Sequence, residues 1–314
     1  MSLSLQRQKV HFISAGTECV AWHYPGTNGA CVIMAGGFAV TKEPATDVFA
    51  ARFQAAGFAV LAFDYRGVGE SAGEPRLVLP IKKQIADWHA AIAHAATLAD
   101  VDPAKIALWG FSASGGHILR AAADNPTVAA VIAQAPLADG PVGLRNASEH
   151  QTTSAMLRFT WRAILDALGS LVGRRPLLVP LIDRPGTVAM LTTPDGLDGP
   201  PTLNPGNRYP DWEQRVAARS ALLLGFYRPG RDASRIHVPL LVVVCDQDQT
   251  APPGPAVRAA NSAPHGEVVH LAGGHYEPFL GGHERTVEAE VSFLNRHLLG
   301  RRAADRPAPA DTAR

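Results

Sequence analysis

The sequence predicts an α/β protein with a mostly parallel, doubly wound sheet, helices on both faces and an inserted helical segment. Two observations predict this architecture. Short apolar runs alternate with helical patterns, and this alternation stops for about a hundred residues before it resumes. The chain has 314 residues, of which 46% are hydrophobic, so it can bury one large core and carry an insertion.

Six short apolar runs are predicted to be buried strands of this sheet, because most of them are followed closely by Gly, Pro or Asp. Between the second and third runs, apolar side chains at helical spacing predict a helix over residues 81–92. Residues 8–24 are predicted to form a leading antiparallel hairpin. The six runs are residues 30–34, 58–63, 106–109, 128–133, 240–245 and 268–271.

The middle of the chain is predicted to be a helical cap, residues 137–236, inserted into a core formed by residues 1–136 and 237–300. A structureless loop of this length would be unusual inside a compact domain. Two helix-like pieces are expected within the cap, over residues 151–172 and from about 211 to 227. The last fourteen residues, 301–314, are rich in Arg, Ala and Pro and are predicted to be a disordered tail.

The composition excludes several functional classes. A net charge of +1 argues against a nucleic-acid partner. The sequence contains no uninterrupted apolar stretch of 18 residues, so no membrane-spanning helix is predicted. The polar N-terminus lacks the apolar core of a signal peptide, so a cytoplasmic protein is expected. Three widely spaced cysteines argue against a disulfide framework or a zinc site, so no metal is predicted.

The strongest chemical signal is Gly110-Phe-Ser-Ala-Ser114, which follows the strand of residues 106–109 directly and precedes a helical pattern. A nucleophile elbow needs small residues two positions before and two after the nucleophile, and Gly110 and Ser114 meet that need around Ser112. A serine that merely caps the helix is the alternative. Ser114 is the rival hydroxyl, but the strand ends near residue 109, which puts Ser112 on the turn and Ser114 inside the helix.

The predicted base is His275, because a serine hydroxyl needs a base to become a nucleophile at neutral pH. His275 lies in a glycine-rich loop after the last predicted strand, where its ring can turn toward Ser112. His270 and His283 are the local competitors. His270 falls within the strand pattern and His283 begins the final helix, so both are less suited to the role.

The predicted acid is Asp248, which lies after the strand of residues 240–245. Catalytic groups gather at the carboxyl edge of an open α/β sheet, and in this arrangement the acid precedes the histidine along the chain. Asp246 is the competing carboxylate. Asp248 lies clear of the strand end, whereas Asp246 is placed to form the turn.

Acyl transfer also needs donors for the oxyanion that develops on the substrate. The backbone N–H of Ala113, directly after Ser112, is predicted to be one donor. The backbone N–H of Phe38, in the glycine-rich loop of residues 35–39, is predicted to be the other. A plain glycine turn is the alternative reading of that loop.

These residues resemble the α/β-hydrolase superfamily over nearly the whole chain outside the cap. Asp64-Tyr-Arg-Gly-Val-Gly-Glu-Ser71 looks like its frequent D-x-R-G-x-G-x-S segment. Met34-Ala-Gly-Gly-Phe38 with Thr41-Lys-Glu43 is similar to the oxyanion loop of a subgroup related to dipeptidyl-peptidase-like and polyketide thiohydrolase or transferase proteins. That subgroup usually has His-Gly where this chain has Gly36-Gly37. The resemblance implies no cofactor and a substrate site between the cap and the sheet edge.

The leading functional prediction is a serine hydrolase that cleaves a carboxylic ester or thioester through an acyl-enzyme. Its partner would be a small-molecule acyl ester or thioester, with no nucleic acid and no membrane. Apolar side chains of the cap are predicted to line the acyl pocket, although ordinary packing within the cap explains any single one of them better. These residues are Phe159, Trp161, Leu165 and Phe226.

Two other functions fit the same residues. The triad could transfer the acyl group to an acceptor other than water, or cyclise a polyketide-type intermediate. The chain could also be a non-catalytic binding protein on a hydrolase fold, although such proteins usually lack a triad member. A haloalkane dehalogenase or epoxide hydrolase is disfavoured, because those enzymes carry Asp at the position of Ser112.

Overall fold

An eight-stranded mixed sheet forms the centre of the computed structural model, which describes residues 6–300. Its strand order is β1-β2-β4-β3-β5-β6-β9-β10, and a separate pair, β7-β8, forms a second sheet. The strands are β1 (Gln8–Ser14), β2 (Thr17–Tyr24), β3 (Cys31–Ala35), β4 (Ala59–Phe63), β5 (Ile106–Phe111), β6 (Ala130–Gln134), β7 (Leu178–Pro180), β8 (Arg215–Ala217), β9 (Leu240–Cys245) and β10 (Gly266–Leu271).

The predicted sheet is confirmed. All six apolar runs coincide with strands whose ends differ from the prediction by at most two residues, and residues 8–24 form the antiparallel hairpin β1–β2. β2 runs antiparallel to β4, while β4, β3, β5, β6, β9 and β10 are parallel. Every residue of β3, β4, β5, β6 and β9 is buried, which is why these strands are continuous apolar runs.

Helices cover the sheet, with α1 packed against α9 and α2 packed against α3. Trp109 of β5 meets Phe49 of α1 at a centroid distance of 5.2 Å, and Phe63 of β4 meets Trp88 of α2 at 5.0 Å. The helices are α1 (Asp47–Ala55), α2 (Ile81–Ala95), α3 (Ala113–Ala123), α4 (Gly140–Glu149), α5 (Thr153–Leu171), α6 (Gly199–Leu203), α7 (Ala221–Leu224), α8 (Pro253–Ser262) and α9 (His283–Leu298). The predicted helix over residues 81–92 is therefore α2.

Residues 137–236, called the inserted segment from here on, connect β6 to β9 and carry α4 to α7 together with β7 and β8. The predicted helix over residues 151–172 is confirmed as α5. The predicted helix from 211 to 227 is wrong, because only α7 is helical in the α form there and β8 pairs with β7. The N–H of Ala217 donates to Leu77 O (2.9 Å), so backbone groups that an α-helix would pair locally find partners elsewhere in the chain.

No helix within residues 6–300 is long and apolar enough to cross a membrane. The predicted disordered tail, residues 301–314, lies outside the described residues.

Candidate active site

Ser112 lies on the turn that joins β5 to α3, in a strained backbone conformation with φ +58° and ψ −118°. β6 and the residues after it hold this turn: Ser112 N–H donates to Gln134 O, and Leu137 N–H donates to Ser112 O, both at 2.9 Å. A Cβ at Gly110 would lie 2.5 Å from Ser114 O, so only glycine fits there. The tight turn leaves Ser112 partly exposed while its neighbours in the chain are buried.

His275 and Asp248 meet Ser112 at the carboxyl edge of the sheet. His275 Nε2 lies 3.0 Å from Ser112 Oγ, and His275 Nδ1 lies 2.7 Å from Asp248 Oδ2. Both side chains of the His275–Asp248 pair are 1% exposed. Asp248 Oδ1 also accepts from Ala251 N–H (2.6 Å), which fixes the carboxylate. The structure thus brings the three predicted residues together, with His275 between Ser112 and Asp248.

The competing residues are engaged elsewhere. His270 and Asp246 form a surface pair with an Nδ1 to Oδ1 distance of 2.7 Å, and their side chains are 53% and 50% exposed. His283 Nδ1 lies 3.0 Å from Pro278 O, and its ring stacks edge-on against Phe49. Their ring nitrogens and carboxylate therefore have partners other than Ser112.

The charge around His275 favours its protonated form. Burial alone would lower the pKa of His275, but the charge of Asp248, its hydrogen bond and the charge of Asp195 outweigh burial, so the pKa is raised. The Phe111 ring lies against the imidazole at a centroid distance of 4.9 Å and limits its rotation. An imidazolium formed by taking a proton from Ser112 would be stabilised in this setting.

Ser114, the rival hydroxyl, has a different role that the sequence did not reveal. Its Oγ donates to the carbonyl of Gly36, at the start of the predicted oxyanion loop. Tyr65 Oη lies 2.6 Å from Ser114 Oγ and accepts from Trp88 Nε1 at 2.7 Å. The chain of donors from Trp88 to Gly36 fixes the loop against the elbow.

The loop that carries Phe38 lies directly against the elbow. A Cβ on Gly37 would lie 3.3 Å from Ser112 Cβ, so the glycine allows this close approach. Val40 N–H donates to Gly37 O (3.2 Å), and Ala39 adopts φ +56°. The hydrogen bond that closes this turn is donated by the N–H of Val40, so the turn does not use the N–H of Phe38. Ala113 begins α3, where the first N–H groups of a helix have no intrahelical partner.

The D-x-R-G-x-G-x-S segment holds the far end of the same loop. Asp64 Oδ1 accepts from Lys42 N–H (2.7 Å), and Asp64 Oδ2 accepts from Lys42 Nζ (2.9 Å) and Glu70 N–H (3.0 Å). Asp64 and Lys42 are each 1% exposed. A buried ion pair of this kind fixes the loop because either partner alone would be costly to bury.

The inserted segment contributes two residues to this region that sequence reasoning missed. Trp212 Nε1 donates to Ala39 O (2.9 Å), within the loop that carries Phe38. Asp195 Oδ2 accepts from the backbone N–H groups of Gln249 (2.7 Å) and His275 (3.3 Å). A Trp or Asp in a Pro/Gly-rich stretch has no local pattern that predicts such distant partners.

The four predicted pocket residues lie mostly on the surface. The exposed fractions are 61% for Trp161, 41% for Leu165 and 81% for Phe226, while Phe159 is partly buried against the core. None of the four lines the two cavities that lie beside Tyr209. Their contact with an acyl group stays a prediction.

The strand order and the order of the three residues along the chain are those of α/β hydrolases, in which the acid lies between the nucleophile and the histidine. This chain belongs to the α/β-hydrolase superfamily. The family model described as serine aminopeptidase, S33, matches residues 26–176.

Several known proteins are similar to this chain along its length. Quorum-quenching protein AidA of Acinetobacter baumannii (strain MDR-ZJ06) is 40% identical over 292 residues, which cover 91% of this chain and 94% of that protein. Polyketide transferase af380 of Aspergillus fumigatus is 28% identical over 313 residues, which cover 94% of this chain and 99% of that protein. The crystal structure of the α/β hydrolase GrgF from Penicillium sp. sh18 superposes with a TM-score of 0.79 at 26% identity, covering 94% of this chain and 100% of that one.

Proposed function

We propose that this protein is a serine hydrolase that cleaves a carboxylic ester or thioester through an acyl-enzyme intermediate. The observation that carries the proposal is the continuous contact from Ser112 Oγ to His275 Nε2 (3.0 Å) and from His275 Nδ1 to Asp248 (2.7 Å). This contact gives a serine hydroxyl the base that it needs at neutral pH.

In the first half of the reaction, Ser112 Oγ attacks the acyl carbon and its proton passes to His275 Nε2. His275 then gives this proton to the departing alkoxide or thiolate, which leaves as an alcohol or thiol. Asp248 accepts the Nδ1–H throughout and stabilises the imidazolium. In the second half, His275 takes a proton from water as the hydroxide attacks the acyl carbon of the Ser112 ester. His275 Nε2 then returns this proton to Ser112 Oγ as the acyl C–O bond breaks, which releases the carboxylic acid and restores the free enzyme.

The oxyanion of both tetrahedral intermediates would accept from Ala113 N–H and Phe38 N–H. The close approach of Gly37 to Ser112 and the position of Ala113 at the start of α3 support this assignment. Preorganised donors of this kind contribute roughly 3–4 kcal/mol to the stabilisation of an acyl-transfer transition state.

The inserted segment would act as the cap over the acyl group. A pocket formed by Phe159, Trp161, Leu165 and Phe226 requires this segment to close further, since three of these side chains are more than 40% exposed. The name of the 40% identical relative supports a quorum signal as one candidate substrate. An N-acyl homoserine lactone is such a signal, and its lactone is a cyclic ester that the same triad could open.

The test is turnover of a p-nitrophenyl acyl ester, an acyl thioester and an N-acyl homoserine lactone by the wild type and by Ser112→Ala. We expect the substitution to lower kcat by at least about a thousandfold, because it removes the nucleophile. Ser262→Ala, on the surface of α8, is the matched control and should keep wild-type turnover. Undiminished turnover by Ser112→Ala would rule out the acyl-enzyme.

Acyl transfer is the second candidate, and the similarity to a polyketide transferase over 94% of this chain favours it. The two reactions differ only in the nucleophile that resolves the acyl-enzyme. Partition of the acyl group between water and an added alcohol or amine separates them. A fluorophosphonate probe addresses the non-catalytic alternative, because a binding protein would leave Ser112 unlabelled.

A further inference from the structure

We propose that Asp195, on the inserted segment, is a positioning residue for His275: a second carboxylate that fixes the loop of Asp248 and the loop of His275 and adds its charge next to the histidine. This inference rests on the proposed function and assigns part of that site to the cap. It implies that the inserted segment helps to assemble the catalytic residues as well as covering the substrate.

The loop that carries Asp248 and the loop that carries His275 both donate hydrogen bonds to the Asp195 carboxylate. From the loop of Asp248, Asp195 Oδ2 accepts from Gln249 N–H (2.7 Å) and Thr250 N–H (3.3 Å), and Oδ1 accepts from Thr250 Oγ1 (2.9 Å). From the other loop, Asp195 Oδ2 accepts from His275 N–H (3.3 Å). A single side chain therefore sets the separation of the two loops that carry the acid and the base.

The segment around Asp195 is packed so closely that the carboxylate has little freedom to move. A Cβ on Gly274 would lie 3.2 Å from Asp195 Cβ, and Thr193 Oγ1 lies 2.7 Å from Thr250 Oγ1. A Cβ on Gly199 would lie 2.5 Å from the hydroxyl of Tyr276. Glycine on both sides allows this contact between the inserted segment and the histidine loop.

The charge of Asp195 is maintained by its partners. Burial alone would raise the pKa of Asp195, but the hydrogen bonds from Gln249 and Thr250 and the charge of His275 outweigh it, so the pKa is lowered. The groups that face His275 are Asp248, Asp195, Ser112 and the rings of Phe111 and Tyr276. Of these, only the two carboxylates carry charge at neutral pH, and both favour the imidazolium.

The experiment measures the rate at which a fluorophosphonate labels Ser112 as a function of pH, because labelling needs neutral His275 but no knowledge of the substrate. Asp195→Asn is close to isosteric and removes the charge, so we expect the acid limb of the profile to move to lower pH. Asp195→Ala also removes the acceptors, so its rate on the alkaline plateau should fall about tenfold to a hundredfold. Asp183→Asn, elsewhere in the inserted segment, is the matched control and should leave both features unchanged.

The possible outcomes separate this inference from the proposed function. If wild-type Ser112 is not labelled at any pH, the proposed function fails. If the wild type is labelled and both Asp195 variants keep its acid limb and its plateau, the role of Asp195 is overturned. Thermal melts followed by circular dichroism establish that each variant is folded. If folded Asp195→Asn has a lower plateau but keeps the wild-type acid limb, the proposed effect of the Asp195 charge on His275 is overturned.

Discussion

At the scale of single residues, Ser114, two positions after the proposed nucleophile, explains how the turn after β5 is joined to the loop that carries Phe38. Glycine is more usual there, and a small side chain is all that the turn itself requires. Ser114 meets that requirement and also uses its hydroxyl, which donates to Gly36 O while Tyr65 Oη donates to it. The hydroxyl therefore links α3 to a loop 78 residues away in the sequence.

The first prediction concerns this hydroxyl. Ser114→Ala keeps a small residue in the turn but leaves the buried Gly36 carbonyl and the Tyr65 hydroxyl without their partner, which costs about 1–3 kcal/mol of folding stability. Because the loop that carries the proposed oxyanion donor Phe38 loses an anchor, kcat on a p-nitrophenyl ester should fall about tenfold with little change in KM. Steady-state kinetics beside an exposed control, Ser170→Ala, check this, and a wild-type kcat in Ser114→Ala would contradict it.

At the scale of secondary-structure elements, α9 carries a buried acid that the proposed mechanism does not use. Glu290 is completely buried, and both of its carboxyl oxygens lie 3.2 Å from Trp109 Nε1 on β5. Burial raises the pKa of Glu290 well above its ordinary value, and the hydrogen bond from Trp109 only partly opposes this effect. Folding therefore favours the neutral form of this carboxyl.

The second prediction follows from the sign of that shift. At pH below the ordinary pKa of a glutamate, the acid is protonated in both states and folding carries no penalty. As the pH rises above this ordinary pKa, the unfolded chain releases the proton and the folded chain keeps it, so the free energy of unfolding falls. Once the pH exceeds the pKa of the folded state, the loss reaches about 1.4 kcal/mol for each unit by which folding raises the pKa.

Glu290→Gln keeps an acceptor for Trp109 and removes the ionisable group. We expect its Tm to exceed that of the wild type at pH 8 and the difference to vanish near pH 4. Glu288→Gln, which is exposed on the same helix, is the control and should follow the wild type at both pH values. An equal Tm for Glu290→Gln and wild type at pH 8 would contradict the prediction.

At the scale of the whole molecule, the inserted segment is joined to the core on both sides of Ser112. Asp195 binds the loops of the acid and the histidine, and Trp212 Nε1 donates to Ala39 O in the opposing loop. The side chain of Trp212 is buried, so its indole N–H has no access to water as an alternative partner. The position of this segment is therefore coupled to the geometry of the site.

The third prediction tests the coupling through Trp212. Trp212→Phe keeps an aromatic ring but leaves the Ala39 carbonyl without its donor, so the free energy of unfolding should fall by about 1–3 kcal/mol. Ala39 has a strained φ of +56°, and without its anchor we expect the loop to relax and kcat to fall. Chemical denaturation and kinetics measure the two effects. Trp161→Phe is the stability control, because Trp161 is 61% exposed, and an unchanged Trp212→Phe would show that the contact is dispensable.

Much of the fold could be predicted because its signals are local. The buried strands are continuous apolar runs, and the elbow is specified by Gly110, Ser112 and Ser114 within five consecutive positions. Chain order then indicated Asp248 and His275, and the structure places His275 against Ser112 and Asp248 against His275. The helix predicted near residues 211–227 was wrong, because β8 is stabilised by pairing with β7, a partner that no local pattern encodes.

Local sequence patterns were sufficient to predict the sheet, the elbow and the candidates for nucleophile, acid and base, because strand burial and turn sterics act between near neighbours in the chain. The contacts of Ser114, Asp195 and Trp212 became visible only in the folded chain. Ser114 contacts Gly36, 78 residues away, Asp195 contacts His275, 80 residues away, and Trp212 contacts Ala39, 173 residues away. Such contacts exist only once the sheet and the inserted segment have come together. The sequence around a side chain that can donate or accept a hydrogen bond does not indicate which distant group will be its partner.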